Sequence, residues 1–159
     1  MYPLEGRLGR ARTLRAGGTG PRRFAARARM AQAYTVLVKP DQMTVIDTAA
    51  LPWEERWNEH LGKTLYRKNL KEDPETGAEI RIVRYPRGVI NTRHVHTCAH
   101  GMYVLDGTLV THAGSFGPGH FAWFPAGTEM EHGATAESDV TVLFITNRKF
   151  DIQYLPRNS

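Results

Sequence analysis

From Ala33 onward the apolar positions fall in short runs of β-branched and aromatic residues, separated by Gly, Pro and Asp. That punctuation predicts an all-β barrel or sandwich. The expected strands are YTVLV (34–38), MTVI (43–46), TLYRKNL (64–70), AEIRIVRY (78–85), GMYVL (101–105), TLVTH (108–112), HFAWF (120–124) and VTVLFIT (140–146). DPETG (73–77) and DG (106–107) read as hairpin turns in which Gly supplies a positive φ, and GSFGPG (114–119) as a further reversal. One segment reads as a helix, LPWEERWNEHLG (51–62), with Pro52 at its start. Trp53 and Trp57 then fall i, i+4 on one face, as a packing stripe or lid over the open end of a barrel.

The length of 159 residues suits one domain with a sizeable core. The formal charge of +5 suggests an acidic partner until it is located along the chain. Residues 1–30 hold eight arginines and a single acid, Glu5, so residues 31–159 carry a net charge of −2. Nucleic acid is therefore not an expected partner, since the folded part lacks both a basic face and a helix-turn-helix pattern. Residues 1–30 are expected to be a disordered Arg-rich extension, or to lie upstream of a start at Met30, with the folded domain spanning 31–159. No apolar run there is long enough for a signal peptide or a membrane span. A transit peptide should contain serine, and the first serine of the chain is Ser115. A single cysteine, Cys98, excludes an internal disulfide and suits a reducing compartment, so a buried thiol in a cytoplasmic protein is expected.

The chemistry concentrates in NTRHVHTCAHGMYVLDG (91–107). His94 and His96 project to one side if the segment is extended, and His100 follows just before the next strand. Three converging imidazoles are suitable ligands for Zn, Fe, Ni, Cu or Mn. By period two, Met102 and Val104 share the face of His100 and are candidates to line a substrate site, whereas Tyr103 points away. His120, at a strand start, is a candidate for the barrel mouth; His60 and His112 read as surface residues. Glu129, Glu131 and Arg84 are the candidates for proton transfer, with Arg81 and Tyr85 on the same strand as Arg84.

Gly88, His94, His96, His100 and Gly107 have the spacing G-x5-H-x-H-x3-H-x6-G. This resembles the first motif of the cupin superfamily, except that His100 stands where that motif has glutamate. Gly119, Pro125 and Gly127 match the second motif, G-x5-P-x-G-x2-H, whose histidine position falls on Met130. His132 lies two residues later, on the same strand face, and is a better ligand than a thioether, so the fourth position is assigned to it. The resemblance implies a single-domain double-stranded β-helix, or jelly roll, with one metal on His94, His96, His100 and His132, and commonly a homodimer. The phrasing HGMYVLDGTL is similar to small single-domain cupins, which include acetylacetone-cleaving dioxygenases as well as non-redox isomerases and lyases.

A histidine in place of glutamate leaves the ligand set neutral and the site near +2 with a divalent metal, which should attract an anionic, bidentate small molecule. The expectation is a non-haem dioxygenase acting on a small enolisable carbonyl compound, with Fe(II) favoured over Mn, Ni, Zn or Cu. The alternatives are an isomerase or lyase on an acidic sugar or keto acid, and a cupin that binds a ligand without turnover.

Overall fold

In a computed structural model of the protein, residues 43–156 are described. Among them are eleven strands: β1 (Glu54–Asn58), β2 (Lys63–Glu72), β3 (Glu79–Tyr85), β4 (Ile90–Val95), β5 (His100–Asp106), β6 (Leu109–Thr111), β7 (Gly114–Phe116), β8 (Phe121–Phe124), β9 (Met130–Ala134), β10 (Val140–Thr146) and β11 (Gln153–Tyr154). They form two antiparallel sheets, ordered β1-β2-β3-β10-β5-β8 and β11-β4-β9-β6-β7. This is the all-β cupin architecture, and no described helix is long and apolar enough to cross a membrane.

The β-branched run of β10 shows how the barrel is built. Val140, Val142, Phe144 and Thr146 are buried, while Thr141, Leu143 and Ile145 alternate to the outer face. The inner faces of β3, β5, β6, β8, β9 and β10 meet in one core that includes Val83, Tyr85, Met102, Val104, Leu109, Phe124, Met130 and Ala134. DG (106–107) is not the hairpin turn expected but the corner where the chain passes from β5 in one sheet to β6 in the other; there Gly107 has a φ of 76°, and a Cβ would lie 2.0 Å from the Asp139 carbonyl oxygen. Only glycine fits that turn.

Two other sequence expectations are corrected. Residues 51–62 form no helix: Glu54–Asn58 is the edge strand β1, registered against β2 with Glu54 opposite Arg67 and Asn58 opposite Lys63. A spacing of four is a multiple of the strand period as well as close to the helix period, so the tryptophans did not discriminate. Trp53 packs under the cations of Lys68 and Arg84, and Trp57 is exposed. MTVI (43–46) forms no strand, and Met43 and Val45 lie in solvent. GSFGPG contains the short strand β7 before its reversal. YTVLV (34–38) and the boundary at residue 30 lie outside the described residues.

Candidate metal centre

Strands of both sheets bring the histidines together, β4 and β9 from the smaller and β5 from the larger. His94 lies on β4, His96 just beyond its end, His100 at the start of β5 and His132 in the middle of β9. Asn91 and His94 are both buried although three apart, because the register shifts between them; Asn91 pairs with His132 and His94 with Met130. That bulge re-aims His94 inward. The spacing of β4 and β9 is set by Gly133, where a Cβ would lie 2.1 Å from the Val89 carbonyl oxygen.

All four imidazoles are at most 1% exposed. Ring centroids lie 4.8 Å apart for His94 and His96, 4.9 Å for His94 and His132, and 4.7 Å for His96 and His100. Ligand nitrogens of His94, His96 and His132 all lie within 4.8 Å of one another. His100 stands beside that trio, its ring stacked between Phe124 at 4.8 Å and Phe144 at 4.9 Å.

Backbone carbonyls select the tautomer of two of these rings. Nδ1 of His94 donates to the Thr92 carbonyl at 2.7 Å, and Nδ1 of His96 donates to the Asp151 carbonyl. In both, the proton on Nδ1 leaves Nε2 with a free lone pair. Those two Nε2 atoms are buried without a partner, as are both ring nitrogens of His100 and of His132. An unpartnered buried polar group costs about 1–3 kcal/mol. A divalent cation that accepts one lone pair from each ring would satisfy Nε2 of His94 and of His96 and one nitrogen of His132, so the donor set fits a metal.

Burial also holds the rings neutral. It pushes His94 down to about 4, against a smaller opposing effect of the Thr92 carbonyl. His100 is driven down to about 3 by burial and then by neighbouring His96 and His94. Burial lowers His96, and lowers His132 well below the ordinary histidine range. Neutral imidazole is the form that ligates metal.

A cavity of about 170 Å³ reaches His96 and His132 and is lined also by Arg81, Tyr85, Asn91, Phe144 and Phe150. Tyr85 meets His132 edge-on at 5.7 Å, and burial raises its phenol, which stays protonated. Tyr154 donates to Asn91 Oδ1 at 2.9 Å and accepts from Asn58 Nδ2 at 2.7 Å, closing one side.

The other sequence candidates sit elsewhere. Glu131 alternates with Met130 and His132 on β9 and so faces the opposite side, where with Glu129, Arg93 and His112 it lines a separate depression. Glu129 pairs with Arg93 in solvent. Arg84 alternates with Arg81, Val83 and Tyr85 and lies between the rings of Trp53 and Tyr66. Met102 and Val104 are on the inner face as expected but belong to the packed core, not to the cavity lining. His120 is exposed and its Nδ1 bonds the Gly117 carbonyl at 2.9 Å. Tyr103 points outward, as its parity predicts, and Cys98 is fully buried, within reach of His96 and Asp151. The sequence pointed to Arg84 and not to Arg81 because the two faces of β3 are alike in polarity.

Among solved structures, an RmlC-like cupin from Ralstonia eutropha matches with a TM-score of 0.61 and 21% identity, over 73% of this chain and 74% of that one. A candidate acetylacetone dioxygenase from Methylibium petroleiphilum matches with a TM-score of 0.60 and 12% identity, over 76% and 86%. The polyketide cyclase RemF from Streptomyces resistomycificus matches with a TM-score of 0.56 and 14% identity, over 74% and 89%. At such identities these likenesses carry the fold alone. No curated protein matches the sequence significantly. Residues 41–151, however, match the model of the ChrR cupin-like domain, and the all-β architecture agrees with that match. The chain belongs to the family of ChrR cupin-like domains.

Proposed function

We propose that the protein is a metal-dependent dioxygenase acting on a small enolisable carbonyl compound, with one divalent metal held by His94, His96 and His132. His100, with both nitrogens buried and unpartnered, is the fourth nitrogen donor on the side shielded by Phe124 and Phe144. The observation that carries this reading is the convergence of orphaned imidazole nitrogens, with His96 and His132 of that cluster lining a cavity that no carboxylate lines, among the described residues. An isomerase or lyase needs a group that takes up a proton; Glu129 and Glu131 face away, and the Asp151 carboxylate, though near His96, accepts from Thr97 N and does not line the cavity. When bound, the metal supplies a Lewis acid and, as Fe(II), electrons for dioxygen, which is the reason to favour iron over Mn, Ni, Zn or Cu.

The chain's own residues do the rest. Thr92 and Asp151 carbonyls orient two rings so that their lone pairs are free before metal arrives. The neutral set leaves the positive charge of the centre uncompensated, which favours an enolate over its neutral keto form. Phe144 and Phe150 keep water from that part of the cavity, and the Tyr85 phenol holds its proton close to His132. Dioxygen is the oxidant: a carbon–carbon bond of the substrate breaks and one oxygen atom enters each product. Metal analysis of protein purified without added metal, followed by oxygen-electrode assays of iron-loaded protein on a panel of β-diketones and keto acids, tests this. Oxygen uptake coupled to substrate loss supports it; turnover under strict anaerobiosis, or no uptake with any metal and substrate tried, refutes it.

A further inference from the structure

We propose that Arg81 anchors a carboxylate of the substrate, so that the cavity selects small keto acids over neutral diketones. The inference rests on reading the cavity beside the histidines as the substrate site. Arg81 lies on the inner face of β3 and is 7% exposed. Its guanidinium packs against Phe144 and Phe150, with Cζ 4.7 Å and 4.3 Å from the two ring centroids, the rings themselves meeting edge to face 5.5 Å apart. The corner formed by these two rings holds the guanidinium in place without offering it a hydrogen-bond acceptor. One edge is used, where Nη1 donates to Glu79 Oε2. Nε is buried with no partner.

A guanidinium has five N–H donors, and leaving one buried and unused is costly unless a ligand arrives. The ligand that matches a fixed fork edge is a planar carboxylate. Charge around the cavity agrees: Arg56 and Arg67 line it together with Arg81, while the carboxylate they share, Glu54, is not part of the lining. The volume of about 170 Å³ limits the guest to a few carbon atoms. Arg81 and His96 line the same space, so one small molecule reaches the guanidinium at one end and the imidazole side at the other.

Acetoacetate and acetylacetone are close in shape and differ in the charge at one end, which makes them the probe pair. Calorimetric titrations use wild-type, Arg81→Met and Arg81→Lys proteins, each both zinc-loaded and stripped with EDTA, with melting curves confirming the fold. Wild-type protein is expected to bind acetoacetate at least about tenfold more tightly than acetylacetone, the range of a charge-assisted hydrogen bond. Arg81→Met should level the two affinities, Arg81→Lys should retain part of the preference, and the preference should survive metal removal. Equal wild-type affinities, or a preference kept in Arg81→Met, would overturn the assignment, and the wild-type comparison decides even if the methionine variant does not fold. Zinc performs no redox step, so the outcomes separate. Acid selectivity without oxygen uptake by the iron form sinks only the oxygenase, and oxygen uptake without acid selectivity sinks only the role of Arg81.

Discussion

Replacing His132 by leucine should stabilise the metal-free protein and destroy the metal site, and the two effects are separable. Folding strips water from Nδ1 and Nε2 of His132 and returns no partner to either. At about 1–3 kcal/mol for each orphaned group, the ring costs the metal-free fold roughly 2–6 kcal/mol. Leucine is of similar size and meets the apolar edges of Tyr85 and Phe124. Allowing about 1–2 kcal/mol for imperfect shape, the variant should gain roughly 2 kcal/mol. For a domain of this size that is an increase of about 8 °C in Tm. Urea unfolding in EDTA measures it. With metal at about 100 times its Kd, wild-type protein gains about 2.7 kcal/mol from binding the native state, and the variant gains little. The order of stability should therefore reverse on adding metal. A His132→Leu protein that is less stable than wild type in EDTA, or that metal stabilises equally, would refute the reasoning that orphaned nitrogens converge here for a cation.

Metal content after dialysis should rank the histidines: His94→Ala, His96→Ala and His132→Ala lose stoichiometric metal, whereas His100→Ala, removing a ring beside the trio, weakens affinity by about 10–100-fold. Met130→Leu, a volume-conserving change in the core, should keep full metal content and cost less than about 1.5 kcal/mol. The metal-free protein should also be acid-sensitive in a defined window. His94 is lowered to about 4 in the fold, so between its unfolded value near 6.5 and about 4 the unfolded chain binds more protons. Stability is then fully present above about pH 6.5 and falls as the pH drops towards 4, by roughly 3 kcal/mol from this ring alone. Denaturant midpoints measured across that range check the sign; a midpoint unchanged from pH 7 to pH 4 contradicts it.

The inward histidines were legible because their signal is spacing, and spacing survives the irregularities of the strands that carry it. The G-x5-H-x-H-x3-H frame placed His94, His96 and His100 correctly in one buried cluster, even though a bulge between Asn91 and His94 breaks the simple alternation of β4. His132 was legible for a different reason, the shared parity with Met130 on β9, and the same parity, applied to Glu131, would have turned it outward. What could not be read was which side of β3 is the inside. Its two faces are Ile80, Ile82 and Arg84 against Arg81, Val83 and Tyr85, each with apolar residues and an arginine. Polarity discriminates faces only when the outer face is polar. Here the outer face of the larger sheet also carries Leu143, Ile145, Tyr103, Leu105, Phe121 and Trp123, the last four at least 40% exposed. The two arginines were thus interchangeable in sequence and differ only in what the fold packs against them: Trp53 and Tyr66 on the outside for Arg84, Phe144 and Phe150 beside the histidines for Arg81. The histidine cluster follows from a local frame, but the surroundings of Arg81 depend on β10 pairing with β3, which sets Phe144 opposite Arg81, and on Phe150 beyond β10, contacts that exist only once the chain has folded.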